Sequence, residues 1–401
     1  MIRPPLITDE VRERLAALRR HPHAVGPAED GAARAVWSCL IEPGDGVAGR
    51  LIASFGSVDA LQAAVADDRG AAHQAGIAGA EWRQAIERWE PRMSSALVRG
   101  ALERAAVAGI QLLLPADARW PRQLDDLGDH APVCLWVRGD TAAPTRTARS
   151  VGVVGARAAT GYGEHVAMEL AAELAGRGIA VVSGAAYGID AAAHRAALAA
   201  GGTTIAILAG GADRAYPAGN TELIDRIAGA GAVLSEVPCG SAPTKWRFLQ
   251  RNRLIAALAQ ATVVVEAGWR SGSLNTAHHA AMLGRPLGAV PGQVTSAASA
   301  GCHRVLREQD AQCITGVEDV LELIGAGTRT VSAGGDRTDE RTRVRDALSA
   351  RTPRTAIEIA QRAGMSPGDV AGQLGLLALD GEAVGVDGSW RRTAGLAAPV
   401  R

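Results

Sequence analysis

The chain has 401 residues, of which 47% are apolar, and its 42 basic side chains balance 42 acidic ones. This length predicts two or three domains. The zero net charge excludes nucleic-acid binding by a diffuse polycation, so any such binding requires a local patch. The five cysteines form no Cys-x-x-Cys pair and no Cys/His cluster, which argues against zinc and disulfides and for a reducing, cytoplasmic location. Neither a signal-peptide stretch nor a run of about 20 apolar residues is present.

The N-terminal part of the sequence predicts helices and little else. Residues 1–33 are polar and are expected to form a flexible extension. Residues 34–104 follow a helical pattern and predict a small helical domain, SAM-like or helix-hairpin-helix-like, with a turn at Gly44-Asp45-Gly46. A plain turn between helices is the alternative, since glycine commonly interrupts helices. Residues 105–148 predict a short α/β connector that ends in the apolar run Val133–Val137.

The central region alternates short apolar runs with helical stretches. This alternation predicts a Rossmann-like α/β core with a parallel sheet and helices on both faces, within residues 105–324. The loops after the strands then fall on one edge of the sheet, where ligands bind in such folds. The predicted strands are Val151–Val154, Ile179–Val182, Thr204–Leu208, Ala232–Leu234, Thr262–Val265 and Leu287–Val290, and the helices between them include Gly163–Gly176, Ala191–Ala200 and Asn252–Gln260.

The C-terminal part predicts a separate module. Residues 325–342 are polar and glycine-rich, as is typical of a linker. Within residues 343–401, three helices are expected, followed by a hairpin with an Asp387-Gly388 turn. This layout is that of a winged-helix domain. The helices are predicted at Arg343–Leu348, at Thr355–Arg362 with Thr355 as cap, and at Pro367–Leu379 with Ser366 as cap.

Three turns of small residues follow apolar strands in the core. They are Gly155-Ala156-Arg157, Ser183-Gly184 and Ser271-Gly272-Ser273-Leu274-Asn275-Thr276. Small residues at these places let an anion approach backbone N–H groups at the start of the next helix. One such turn would suggest a nucleotide, whereas several along one sheet edge favour a chain of phosphates.

The sequence lacks the motifs of the common nucleotide cofactors. The first turn does not complete G-x-G-x-x-G, and the second strand ends in Ser183 rather than in the acid that holds a ribose. The only lysine, Lys245, does not stand in a P-loop. We therefore expect no cofactor.

The segment Lys245–Arg253 contains four cations, two aromatic residues and no acid. Cations interleaved with aromatics suit a single-stranded nucleic acid, whose bases are free to stack. Phe248 is a stacking candidate, as are Trp269 and Tyr187. The alternative is that Phe248 belongs to the core and that Arg253 pairs with a carboxylate such as Glu266.

Two pairs of titratable residues raise the question of catalysis. Asp190 and His194 stand four residues apart, but a cap by Asp190 and support of a loop by His194 is the simpler interpretation. Glu236 and Glu266 each lie near a strand end. They suggest an alternative function, a nucleoside-monophosphate glycosidic hydrolase, although no group is arranged to activate a nucleophile.

From about Trp120 to Ala311 the sequence resembles the DprA/Smf family of DNA-processing proteins. The resemblance lies in many segments matched in order, which together are specific to this family. They include Trp120-Pro121-Arg122-Gln123-Leu124, Val154-Gly155-Ala156-Arg157, Gly188-Ile189-Asp190 with His194, Tyr216-Pro217, Leu234-Ser235-Glu236, Phe248 to Leu254, Val264-Val265-Glu266-Ala267, Ser271-Gly272-Ser273 and Pro291-Gly292.

The resemblance implies a homodimer that binds single-stranded DNA and loads the recombinase RecA during natural transformation, without catalysis. It implies DNA contacts at Arg157, Ser183, Gly184, Arg251, Asn252, Ser271, Gly272 and Ser273. The predicted set also contains Gly155, which permits close approach, Lys245, on charge grounds alone, and Thr276 of the third turn.

The third helix of the C-terminal module, Pro367–Leu379, carries no arginine. A helix that reads duplex DNA normally presents basic and amide side chains. We therefore expect a packing or protein-contact role for this helix, while Arg391 and Arg392 of the hairpin remain able to touch a DNA backbone. A purely structural scaffold that recruits partners through this module is a further alternative.

Overall fold

The structure is a computed structural model that describes residues 6–19, 25–326 and 340–393. The chain separates into two compact units, Met1–Thr328 and Arg329–Arg401. Most of the predicted linker, residues 327–339, lies outside the described residues. No helix in the described ranges is both long enough and apolar enough to cross a membrane.

In the N-terminal part of the first unit, the described residues form six α-helices. The prediction of a flexible extension over residues 1–33 is wrong for the described part, because Val11, Leu15 and Leu18 of the first helix are buried in the helical core. Spacings of three and four residues put these side chains on one helix face. The helices are α1 (Asp9–Leu18), α2 (Ala28–Leu40), α3 (Gly46–Ala66), α4 (Arg69–Gln74), α5 (Gly79–Trp89) and α6 (Ser95–Val107).

The turn at Gly44-Asp45-Gly46 connects α2 to α3. Asp45 caps α3, since its carboxylate accepts hydrogen bonds from the N–H groups of Val47 and Ala48 at 3.1 and 3.3 Å. A Cβ at Gly46 would lie 2.8 Å from the His130 ring, so the small residue permits close packing there.

A nine-stranded sheet forms the rest of the first unit, and the predicted alternation of strands and helices is present. The strands are β1 (Gln111–Leu113), β2 (Leu135–Gly139), β3 (Ser150–Val154), β4 (Ala180–Ser183), β5 (Thr204–Leu208), β6 (Ala232–Ser235), β7 (Ala261–Val264), β8 (Leu287–Ala289) and β9 (Gln312–Cys313). The helices are α7 (Gly161–Gly176), α8 (Ile189–Ala199), α9 (Thr221–Ala230), α10 (Lys245–Leu258), α11 (Ser273–Met282), α12 (Ala300–Glu308) and α13 (Val317–Leu323).

The sheet is mixed but mostly parallel. Its order is β1-β2-β6-β5-β4-β3-β7-β8-β9, and only the pairs β1/β2 and β2/β6 are antiparallel. The chain runs outward from β3 to β4, β5 and β6 on one side, and returns through α10 to β7, β8 and β9 on the other. The strand order therefore reverses between β3 and β7, and the loops after these two strands frame a crevice of the kind that binds ligands in α/β proteins.

The described part of the second unit, residues 340–393, has three helices and a three-stranded antiparallel sheet of order β10-β12-β11. Thr355 and Glu358 form a capping box at the second helix, and Ser366 caps the third, as the sequence predicts. The elements are α14 (Glu340–Ala347), β10 (Arg354–Thr355), α15 (Ala356–Ala363), α16 (Pro367–Leu379), β11 (Ala383–Val386) and β12 (Ser389–Arg392).

Candidate nucleic-acid interface

A cavity of about 810 Å³ opens at the carboxyl edge of the sheet, at the point where the strand order reverses. We call it the sheet-edge cavity. It is lined by the end of β3 and the turn after it, by one face of α10 with the two residues before it, and by the turn after β7. The lining residues are 154–158, Pro243, Thr244, Lys245, Phe248, Leu249, Arg251, Asn252, Ile255, 268–273 and Thr276, with Ala186, Asp190 and Tyr216. Its volume lies within the range of about 300–1,000 Å³ that is usual for ligand sites.

The charge of this cavity differs from that of the whole chain. Its lining contains four basic residues, Arg157, Lys245, Arg251 and Arg270, against one acid, Asp190. Asp190 is buried, and its burial raises the pKa of its carboxyl group, while the nearby Arg251 opposes that shift. A neutral molecule thus concentrates positive charge in one cavity, which favours an anionic ligand.

The helix α10 explains how the basic segment is distributed. It begins at Lys245, seven residues earlier than the predicted helix over 252–260, and Thr244 caps it through the N–H of Arg247. Phe248, Arg251 and Asn252 share the helix face that lines the cavity because they stand three and four residues apart.

Two of the four cations of this segment are engaged elsewhere. Arg247 forms two hydrogen bonds with Glu42, at 2.8 and 2.9 Å. Arg253 is buried and pairs with the buried Glu236, with 2.5 Å between Arg253 Nη2 and each carboxylate oxygen. The alternative that Arg253 pairs with a carboxylate is therefore confirmed, but the partner is Glu236 and not Glu266. These pairs connect α10 to the N-terminal helices and to the end of β6, so they fix the position of the helix.

Arg157 and Arg251 both lie over the Phe248 ring. The Arg157 guanidinium carbon is 4.6 Å from the ring centroid and that of Arg251 is 5.8 Å away, while the Tyr216 ring lies at 5.6 Å. Arg157 is exposed and Phe248 is half-buried. The structure thus brings the two predicted arginines to the same cavity, and places a cation on the ring face that base stacking would use.

Arg251 is buried and its donors are largely occupied. Its Nη1 donates hydrogen bonds to the carbonyl oxygens of Gly184, at 2.7 Å, and Ile207, and its Nε donates to Asn252. Burial lowers the pKa of Arg251 to about 10, and the nearby Asp190 opposes that shift. Arg251 therefore holds the ends of β4 and β5 together, and its side chain forms part of the cavity wall.

Ser183 and Gly184 do not line the cavity. The Ser183 hydroxyl is fully buried and donates to the Val153 carbonyl at 2.7 Å. A Cβ at Gly184 would overlap the Arg251 guanidinium, so this position needs glycine for internal packing. Neither residue has an exposed side-chain group, so neither can make the predicted contact with DNA through its side chain.

The third turn does face the cavity. Ser271 and Ser273 lie with their hydroxyl oxygens 2.8 Å apart, and Gly272 precedes the first residue of α11. Asn252 donates to the Gly272 carbonyl at 3.2 Å, which ties this turn to α10. The N–H groups of Ser273, Leu274 and Asn275 already donate within this turn, to the Ser271 hydroxyl at 3.4 Å and to the carbonyls of Ser271 and Gly272 at 3.2 Å. The groups that the turn offers to an anion are therefore its hydroxyls, at the positive end of the α11 dipole. Thr276 is buried at the cavity wall.

Asp190 and His194 are not arranged as an acid/base pair. The Asp190 carboxylate accepts from the N–H groups of Gly184 and Ala186, and it is Gly188 that stands at the N-cap of α8. His194 is fully buried, and its Nδ1 lies 2.7 Å from the Thr204 hydroxyl on β5. Both residues support the strand ends beneath the cavity.

We expect His194 to make the stability of the protein depend on pH. Burial lowers the pKa of His194 to about 3, whereas an unfolded histidine titrates near 6.5. The unfolded chain therefore takes up this proton first, so this contribution is complete above about pH 6.5 and falls by up to about 1.4 kcal/mol per pH unit below it. Urea unfolding at neutral and mildly acidic pH should show a smaller loss of stability in His194→Gln than in the unchanged protein. Equal losses would contradict this assignment.

Glu266 is also held by the protein. Its two carboxylate oxygens accept hydrogen bonds from the Thr160 N–H at 2.8 Å and the Thr160 hydroxyl at 2.7 Å. Glu236 is engaged by Arg253. Within the described ranges, no group of His, Cys, Asp and Glu side chains is placed to hold a metal ion.

Several exposed residues near this edge are not among the predicted site residues. Tyr216 and Arg270 line the cavity, and Trp246, in the first turn of α10, is 57% exposed. Trp269 lines the cavity as well and is 57% exposed, whereas Tyr187 lies outside the lining, with its hydroxyl accepting from Gly219 N–H at 3.3 Å. In the sequence, the position of Trp246 beside Lys245 is the feature that could have identified it as a site residue.

Comparisons with known proteins agree with this architecture. The family model for DNA recombination-mediator protein A matches residues 111–325. The DNA processing protein DprA of Mycobacterium tuberculosis (strain H37Rv) is 47% identical over 307 residues, covering 72% of this chain and 79% of the relative. DprA of Bacillus subtilis (strain 168) is 34% identical over 246 residues, covering 61% of this chain and 80% of the relative.

The X-ray structure of DNA processing protein A from Streptococcus pneumoniae matches with a TM-score of 0.59 and 30% identity, over 74% of this chain and 98% of that one. The match therefore extends over nearly the whole of a solved member. By sequence and by fold, the chain belongs to the DNA recombination-mediator protein A family, the DNA-processing proteins DprA and Smf.

Proposed function

We propose that this DNA-processing protein binds single-stranded DNA in the sheet-edge cavity. The observation that carries this proposal is the combination of four basic residues with exposed aromatic rings in one cavity of a molecule with zero net charge. Cations neutralise a phosphate backbone, and aromatic rings stack on bases that are not already paired.

The distribution of aromatic residues supports an unpaired strand as the ligand. Five tryptophans are buried, namely Trp37, Trp82, Trp89, Trp120 and Trp136. By contrast, Trp246, Trp269 and Tyr216 are 57%, 57% and 46% exposed, and all three lie in or beside the cavity. Exposing large rings costs solvation free energy, so a cluster of them at one edge favours a ligand that covers them.

We propose different roles for the predicted site residues. Arg157, Lys245, Ser271 and Gly272 are accessible and would contact phosphates, while the buried Ser273 would orient the Ser271 hydroxyl. Arg251, Asn252 and Thr276 would shape the wall, Gly155 would keep the first turn close to Ile189, and Ser183 and Gly184 would hold the strand ends. For Phe248 to stack on a base, Arg157 has to leave the ring, so we propose that Arg157 moves from Phe248 to a phosphate on binding.

Replacement of Gly272 tests whether a phosphate approaches the third turn. No atom of the protein lies within 4 Å of a Cβ built at Gly272. We therefore expect Gly272→Ala to fold normally but to bind oligothymidine at least about tenfold more weakly, because its methyl group occupies the space of the ligand. Fluorescence anisotropy with a labelled oligonucleotide measures this.

Gly161→Ala is the matched control, since Gly161 also starts a helix, has nothing within 4 Å of its Cβ and lies outside the cavity. If both variants bind oligothymidine with equal affinity, no phosphate approaches Gly272 closely, and that contact has to be dropped from the proposal.

We also propose that the chain acts as a homodimer, in the cytoplasm, without catalysis, and delivers RecA to incoming strands in natural transformation. The family description as a recombination mediator supports this role. Engagement of Glu236 by Arg253 and of Glu266 by Thr160 supports the absence of catalysis.

RecA ATP hydrolysis on oligothymidine should start sooner with the unchanged chain than with Arg157→Ala. An equal delay before ATP hydrolysis with both proteins would contradict the delivery of RecA. If a chain that lacks residues 343–401 still delivers RecA, this result would count against a scaffold role of the second unit.

For the fold, we infer that the core is Rossmann-like and that the second unit is a winged helix. The reversal of strand order between β3 and β7 supports the first inference. Three helices followed by the hairpin β11–β12, with β10 paired to β12, support the second.

A further inference from the structure

Three arginines surround a surface cavity of about 310 Å³ in the second unit. Arg343 comes from α14, Arg354 from β10 and Arg362 from α15, and the other lining residues are Asp346, Ala347 and Ala363. We call these three arginines the arginine cluster. The function proposed above gives them no role.

Two members of the arginine cluster are anchored to helix ends. Arg343 donates to the carbonyl oxygens of Ala363 and Gly364, the latter at 2.9 Å, and Arg354 donates to that of Ala347 at 2.5 Å. These carbonyls end α15 and α14, where a cation is favourable. A guanidinium has five N–H donors, so these bonds position the groups and leave other donors for a ligand.

None of the three forms an ion pair among the residues that the structure describes. The carboxylates of Asp380 and Glu382 pair instead with Arg341 and Arg345. The Glu358 carboxylate accepts from the Thr355 N–H and hydroxyl in the capping box, and it attracts Arg362 and Arg354 without forming an ion pair with either. Asp346 is the one acid in the cavity lining. Three guanidiniums around one cavity repel each other, and an anion between them would relieve that repulsion.

The lining also indicates which anion fits. It contains no aromatic residue, and its apolar residues are two alanines, so it can neither stack a base nor enclose an apolar side chain. Protein partners usually insert such anchors into a pocket. Arginine forks match the oxygens of a phosphate, and contacts to phosphates alone do not depend on base sequence.

We propose that the arginine cluster binds the backbone phosphates of nucleic acid, duplex as well as single-stranded. This site differs from the helix that reads bases in many winged-helix proteins, because the corresponding helix α16 has no basic residue and does not line the cavity. The second unit then contacts DNA through the face formed by α14, β10 and α15.

The test measures binding of the full chain to a short blunt duplex over a range of salt concentrations. We expect the double variant Arg343→Ala/Arg362→Ala to bind at least about tenfold more weakly, with a salt slope lower by about 0.9 for each lost phosphate contact. The control Arg69→Ala/Arg83→Ala removes the same charge from exposed positions in the N-terminal helices and should bind as the unchanged chain does. Equal losses in the two double variants would overturn the proposal.

Asp346→Asn gives a result that misfolding cannot imitate. Removal of the acid in the lining should strengthen duplex binding about two- to fivefold, the size expected for an exposed charge interaction. Unchanged affinity would contradict the proposal. If polyglutamate binds the unchanged chain but not the double variant, while duplex binding is the same for both, the cluster binds an acidic protein instead.

Binding of oligothymidine by Arg157→Ala is measured in the same series. A loss there, together with normal duplex binding by the arginine-cluster variant, would reject this site and leave the sheet-edge cavity in place. The reverse pattern would reject the cavity alone.

Discussion

Arg157→Ala should weaken binding of oligothymidine by about 10- to 100-fold. Arg157 is the exposed arginine of the turn after β3, and its guanidinium lies 4.6 Å from the Phe248 ring at the edge of the cavity. A hydrogen bond to a charged group contributes about 1.5–3 kcal/mol, which corresponds to this range of affinities. Anisotropy titrations at several salt concentrations should also show a slope lower by about 0.7, the value for one phosphate contact of a single strand.

Two variants make this result specific. Arg226→Ala removes the same charge from an exposed position of α9 outside the cavity, and we expect it to bind normally. Arg157→Lys keeps the charge but loses the fork, so it should retain the salt slope and recover only part of the affinity. If Arg157→Ala binds as tightly as Arg226→Ala, the sheet-edge cavity is not where the strand lies.

The sequence predicts the central sheet well, for a physical reason. Strands that are covered on both faces are typically continuous apolar runs. Residues 151–154 and 204–208 are such runs, and every residue in them is buried. The glycine and serine turns after β3 and β7 then mark the edge where the chain reverses. Those two turns meet in the cavity, whereas the Ser183-Gly184 turn after β4 is packed beneath it.

The sequence does not reveal which cations face the ligand. Nothing in the sequence distinguishes the basic residues of the segment 245–253 from one another. In the folded helix α10, however, Arg247 pairs with Glu42 and Arg253 pairs with Glu236, while Arg251 is buried in the core. Those partners lie far away along the chain, so only the tertiary fold assigns them. The same holds for α1, whose three buried apolar side chains are too few to predict a packed helix without knowledge of α6 beside it.

Arg251 provides the second large effect, and it concerns stability. We expect Arg251→Ala to lower the free energy of unfolding by about 3–5 kcal/mol, because it removes a buried cation from beside the buried Asp190 and leaves the carbonyls of Gly184 and Ile207 without their donor. Urea unfolding measures this difference. Lys245→Ala is the control, since Lys245 is an exposed cation of the same helix and its loss should change stability by less than about 0.5 kcal/mol.

DNA binding separates this structural role from a direct contact. If Arg251 acts by holding β4 and β5, then at a temperature where Arg251→Ala is still folded its oligothymidine affinity should fall less than that of Arg157→Ala, because the accessible donors of Arg157 and Ser271 remain. Arg251→Lys should recover part of the stability but not both carbonyl contacts, since an ammonium lacks the planar fork. A stable Arg251→Ala protein that has lost DNA binding would instead make this guanidinium a ligand of the phosphate, reached only after the cavity opens.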